Sequence, residues 1–282
     1  MAIFRSNVPD IGVSANLEQV RIIPAVNSIS LSATRLDATI RDGLTDDEYD
    51  RISKEIRLLY SFSFEHVYSE DYDIITPGVS SGHSGHNERK EHLLGESGHV
   101  SEVFGNTCKQ LFEDIANVSL SIPKRRAFFN SAFIWSRANE LQELQLLSEA
   151  YTQYWRILDQ VNAKSQLTQA ETTELLTQYD MERTQSNIFA IRVLHTMSML
   201  REGGDSGNIE SLSMLDSLRH PHAHQTSNRR EYYMEEETHL ETWMNNIFIS
   251  DITRLFIIWE LGLRDYYLKP RANIYELAKK EV

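Results

Sequence analysis

Cysteine is almost missing from this chain: Cys108 is the single one in 282 residues. That excludes an intrachain disulfide and any cysteine-rich zinc site, and it fits a reducing compartment. Glycine and proline are scarce as well, 12 and 6 residues, so an all-β fold would lack its turn chemistry. No long hydrophobic run is present. The most apolar stretch, 247–263, is interrupted by Asp251, Arg254 and Glu260 and reads as a buried helix, not a membrane span. The first ten residues hold an arginine and Pro9 but no apolar run fit for a signal-peptide core, so the expected location is cytoplasmic, with no membrane partner. Positive charge is also short, with 28 Lys and Arg against 41 Asp and Glu, a net charge of −13. Such a chain repels nucleic acid broadly, which argues against a coat or packaging role. An enzyme that meets nucleic acid at one small site remains compatible with it.

What is present is ordinary globular material, 41% hydrophobic and 24% charged, with enough chain to bury a sizeable core. Residues 24–42 invite two readings. Ile29, Leu31 and Ala33 alternate with serines as in a strand. Over the longer window Val26, Ile29, Ala33, Leu36 and Ile40 repeat at three and four, with Pro24 placed for a first turn and Gly43 for a stop, and this reading predicts a helix. Thr45 and Glu48 form a capping-box pattern ahead of a second stripe at Tyr49, Ile52, Ile56 and Leu59. From about residue 70 to 98 the periodicity collapses into serine, histidine and five of the twelve glycines, a long surface loop. His83, His86, His92 and His99 there match no metal-ligand spacing.

Beyond Ser101 the helical period is strong. Phe104, Cys108, Leu111, Ile115 and Val118 mark one helix up to Pro123. Phe133, Leu144, Leu147, Tyr151, Tyr154 and Leu158 mark a second. A capping box at Thr168 and Glu171 opens a third, carrying Leu175, Tyr179, Ile188, Ile191, Leu194 and Met197 as far as Gly203 and Gly204. A short helix from Ile209 to about Leu218 precedes a polar link. The last long helix turns Leu240, Trp243, Ile247, Ile252, Leu255, Trp259 and Leu263 inward and closes at Lys269-Pro270. The predicted architecture is therefore all-α: an N-terminal helical region (1–69) with a helical pair, a flexible loop (70–100), an antiparallel helical bundle (101–268) and a C-terminal tail or short helix (269–282).

One segment stands out chemically, Arg219-His220-Pro221-His222-Ala223-His224. His220 and His224 have the i, i+4 spacing of a zinc pair, but no glutamate lies between them and Pro221 disturbs the face, so no metal or other cofactor is assigned. Pro221 would cost a continuous helix roughly 3 kcal/mol, so the expectation is a helix that starts there with Arg219 just outside. A neutral imidazole near pH 7 suits proton transfer, and a guanidinium grips phosphate with two bonds. Simple solvation of a helix end is the competing reading. Arg229-Arg230 and Lys124-Arg125-Arg126 are the basic clusters placed to meet phosphate, although a solvated helix end is the simpler reading of each.

With its Arg-polar-x3-His pattern late in a helical chain, this segment resembles the HEPN superfamily. Members are helical bundles with that motif near the start of a late helix, and many are metal-independent ribonucleases of toxin, defence and RNA-processing systems. The resemblance implies catalytic roles for Arg219 and His224, with His220 in the polar position. It covers six residues and the helix order. Five residues apart on a helix, Arg219 and His224 lie about 140° apart in azimuth, so a homodimer is expected to bring them together. The resulting expectation is an endoribonuclease acting on RNA as a homo-oligomer. The rival expectation is a non-enzymatic structural or adaptor protein built on long amphipathic helices.

Overall fold

The computed structural model describes residues 2–8, 13–32, 35–64, 98–198, 200, 207–223 and 236–263. The expected 70–98 loop lies outside these except at Gly98, where a helix already begins. The chain divides into two compact units, Met1–Ser136 with Glu260–Val282, and Arg137–Trp259.

The first unit overturns the all-α expectation. Strands β1 (Ala2–Asn7), β2 (Ala15–Leu17), β3 (Val26–Ser32) and β4 (Arg35–Ile40) form one antiparallel sheet in the order β1-β4-β3-β2. The predicted helix over 24–42 is thus two strands, and the N-terminal helical pair becomes a sheet and one helix. The alternation that suggested a strand was the physically decisive signal. Ile29, Leu31, Leu36, Ala38 and Ile40 are buried, whereas Ser30 and Ser32 are exposed, the period of two that pleating imposes. The three-residue step from Val26 to Ile29 mimicked a helix because a β-bulge between Val26 and Ser28 adds one residue to β3 and keeps both side chains inward. The buried face is built row by row, with Ile29 opposite Ala38 and Leu17, and Leu31 opposite Leu36 and Ala15.

Helix α1 (Asp46–Phe64) opens with the predicted capping box. The Glu48 carboxylate accepts from the Thr45 N–H at 2.9 Å, and the Thr45 hydroxyl accepts from the Glu48 N–H at 3.3 Å. Its Ile52, Ile56 and Leu59 are buried, and the Arg57 guanidinium sits 5.5 Å from the Phe4 ring of β1. Helix α2 (Gly98–Asn117) buries Cys108, Leu111, Phe112 and Ile115. Its Ala116 carbonyl accepts from the N–H groups of Arg21 and Ile22, at 2.7 and 3.1 Å, which ties the β2–β3 connection to the helix end. Phe62 packs edge-on against Phe128 and Trp135 of α3 (Ile122–Glu143), with ring centres 5.8 and 5.3 Å away.

The second unit has helices and turns but no strand among its described residues: the end of α3, then α4 (Leu147–Lys164), α5 (Gln169–Gln178), α6 (Gln185–Thr196), α7 (Gly207–Ala223) and α8 (Glu236–Glu260). Two helices expected to be continuous are broken. The stripe from Phe133 to Leu158 stops at Glu143 and resumes at Leu147, with Gln145 at φ 60°, and both Phe133 and Leu144 face solvent. The helix opened by the Thr168–Glu171 capping box ends at Gln178. Asp180 then takes a φ of 54°, and the Thr184 hydroxyl caps α6 by accepting from the Asn187 N–H at 3.1 Å. In α8 the inward set is Ile249, Phe256, Ile257 and Ile258 with several polar residues, whereas Ile252, Leu255 and Trp259 are half-buried, so the expected stripe was out of phase. Trp155 of α4 packs on Phe189 of α6 at 4.9 Å.

Candidate functional site

Helix α7 carries the segment singled out in the sequence. Ile209, Leu212 and Leu215 are buried along it, and the Tyr151 hydroxyl of α4 donates to the Leu215 carbonyl, one turn ahead of Arg219. The helix then continues through Arg219, His220 and Pro221 to Ala223. This corrects the expectation that a helix starts at Pro221. The proline lies in the last turn, where its missing N–H frees only the Ser217 carbonyl near a terminus whose carbonyls lack helical partners in any case. The backbone of Arg219 and His220 is described but their side chains are not, and His224, Arg229 and Arg230 lie outside the described residues altogether.

The basic cluster 124–126 falls in the first turn of α3. Lys124 and Arg126 are exposed and Arg125 is half-buried. Arg125 acts on Glu55 of α1: burial raises the Glu55 carboxyl above its ordinary range, and the charges of Arg125 and Arg51 oppose that rise. One of the three cations is therefore engaged in offsetting a half-buried carboxylate.

Polar chemistry that the sequence reading missed lies inside the second unit. Asn139 and Gln142 of α3, Tyr154 of α4 and Ser250 of α8 are all buried. The Tyr154 hydroxyl donates to Asn139 Oδ1 at 3.0 Å and lies 3.2 Å from Gln142 Oε1, and the Ser250 hydroxyl donates to Asn139 Oδ1 at 3.3 Å. A phenol has one proton, so it serves Asn139 fully when the Gln142 amide turns to offer its N–H to the phenol oxygen. Asn246, Ser250, Thr253 and Arg254, at spacings of four, three and one, put a buried polar stripe on α8. The available signal was the reverse of the usual one, polar residues recurring at inward positions of otherwise apolar helices. Such a network fixes which helix faces meet, because any slip leaves a buried acceptor unsatisfied.

No family model, no curated protein and no solved structure matches this chain. Among the described residues no group of three or more His, Cys, Asp and Glu is placed to hold a metal ion, and no helix is long and apolar enough to cross a membrane.

Proposed function

We propose that the chain is a HEPN-like, metal-independent endoribonuclease that works in the cytoplasm as a homo-oligomer. In this reading Arg219 grips the scissile phosphate and Arg229 and Arg230 add contacts along the RNA backbone. His224 carries the proton transfer, aided by His220. The 2′-hydroxyl attacks the adjacent phosphorus as its proton is removed. The bond to the 5′-oxygen breaks as that oxygen is protonated, leaving a cyclic phosphate and a free 5′-hydroxyl. The observation that carries the reading is the sequence segment 219–224 itself, of which residues 219–223 close a helix whose upstream turns are buried and tied by Tyr151. Its position differs from the family pattern, since α7 ends at the motif where the family has a helix beginning.

A second reading, a non-enzymatic assembly or adaptor protein, is favoured by three large apolar side chains that face solvent along α3 and just past its end, Ile122, Phe133 and Leu144. Cleavage of RNA by the wild type in the presence of a chelator, abolished in Arg219→Ala and in His224→Ala with helical content unchanged, is the result the ribonuclease reading requires. Wild-type protein inert on every RNA offered, or variants as active as wild type, transfers the assignment to the assembly reading.

A further inference from the structure

Ile209, Leu212 and Leu215 bury the upstream part of α7, yet burial alone leaves a helix free to slide and turn by small amounts, because apolar contact has no preferred direction. A hydrogen bond does have one. The Tyr151 hydroxyl of α4 donates to the Leu215 carbonyl. In an α-helix that carbonyl also accepts from the N–H four residues on, which here belongs to Arg219. A carbonyl oxygen has two lone pairs and serves both donors. The phenol therefore holds the same carbonyl that fixes the backbone of Arg219.

The phenol is itself held in place. Tyr151 is fully buried, its ring lies 6.0 Å from that of Trp155, and Trp155 lies 4.9 Å from Phe189 of α6. All these residues, with Leu215 and Arg219, belong to the second unit. Downstream, Pro221 has no N–H to give the Ser217 carbonyl, so the last turn of α7 is held by one bond fewer than an ordinary turn. We propose that Tyr151 is a positioning residue for the segment 219–223: its hydroxyl sets the rotation and advance of α7 one turn upstream, so that the proline-weakened end leaves the helix at a fixed place. The benefit to cleavage rests on the ribonuclease reading above, and the positioning itself does not. A displacement of about 1 Å at a phosphate-gripping residue is enough to cost a large part of the rate.

The test is Tyr151→Phe in the full chain, with Tyr154→Phe as its control. Both remove one buried hydroxyl from α4, but that of Tyr154 bonds Asn139 and not α7. Hydrogen exchange read by mass spectrometry should run roughly three- to tenfold faster across residues 216–223 in Tyr151→Phe, and stay within about twofold of wild type there in Tyr154→Phe. On an RNA that the wild type cleaves with a chelator present, Tyr151→Phe should lower kcat about tenfold, while Tyr154→Phe keeps the wild-type value. Exchange at 216–223 that is unchanged in Tyr151→Phe, or raised alike in both variants, would overturn the positioning role, since a merely structural tyrosine acts as its neighbour does. Faster exchange with an unaltered kcat would overturn its service to the site. A wild type inert on every RNA sinks the ribonuclease reading instead, and the exchange comparison still decides whether Tyr151 positions the segment.

Discussion

Tyr154→Phe is the most informative single change inside the second unit, because it deletes one oxygen and almost no volume. The side chain is fully buried, so the phenylalanine ring fills the same space and no cavity term enters. What is lost is the donor to Asn139 Oδ1 at 3.0 Å and the contact with Gln142 at 3.2 Å. Asn139 keeps the Ser250 hydroxyl, but at a long 3.3 Å. Leaving a buried acceptor short of a donor costs about 1–3 kcal/mol, and the surviving Ser250 bond places this case near 1.5 kcal/mol. For a chain of this size the shift in midpoint is roughly 3–6 °C. Urea unfolding followed by far-ultraviolet circular dichroism reads the change directly, and Asn139→Ala should cost more because it also opens space. The double variant should then show a coupling of about 1 kcal/mol, since each single change already disrupts the shared bond. Additive single effects, or a Tyr154→Phe protein as stable as wild type, would refute the claim that this network holds α3, α4 and α8 in register.

Thr168→Ala removes the hydroxyl from the α5 capping box and should destabilise by about 1 kcal/mol in thermal melts. The hydrogen bonds from Thr168 hold the Glu171 carboxyl below its ordinary value, so that support is present above the unfolded pKa and is lost as pH falls through the lower folded pKa; acid titration should show a weaker pH dependence in Glu171→Gln. Glu55 runs the other way. Its folded pKa is raised chiefly by burial, so its contribution to stability is fullest below the unfolded value and fades as pH rises through the folded one, and Glu55→Gln should be relatively more stable at neutral pH than at pH 4. Gly262, at φ +80° just past α8, has open space around a would-be Cβ, so Gly262→Ala should cost roughly 1 kcal/mol through backbone strain alone, measured by chemical denaturation.

The helical part of the fold was legible where local chemistry is self-contained. Both capping boxes, at Thr45 and Thr168, form as their sequence patterns require, because each needs only residues within four positions. The sheet was misread for a reason that is equally local. Steps of four residues keep a side chain on one face in both a helix and a strand, so Leu36 to Ile40 cannot distinguish them, and the bulge at Val26–Ser28 supplied the odd step that tipped the balance. The breaks inside the expected long helices were legible only in part. Thr184 marks a cap in the sequence, but nothing of that kind announces Gln145, an exposed non-glycine residue at positive φ in a turn closed by the Leu146 N–H on the Leu141 carbonyl at 2.9 Å.

The sequence offered a functional reading only through one motif, and the structure changes what surrounds it. The sequence placed Arg219 and His220 before a helix, whereas α7 carries both in its last turn, anchored one turn upstream by Tyr151. The buried network around Asn139 and the solvent exposure of Phe133 and Leu144 escaped the reading for a shared cause. Periodicity counts apolar residues and assigns them inward, so Phe133 and Leu144 were placed in the core while Asn139 and Gln142, which are the buried ones, were not considered. α3 in fact buries Asn139 and Gln142 on a helix that also buries Phe128, Ala132, Trp135 and Ala138, while Phe133 stays exposed. A buried apolar side chain at either polar position would contribute about 1.5–3 kcal/mol, whereas a buried polar one must first recover its desolvation cost. The arrangement makes physical sense when the buried polar residues specify which helix faces meet.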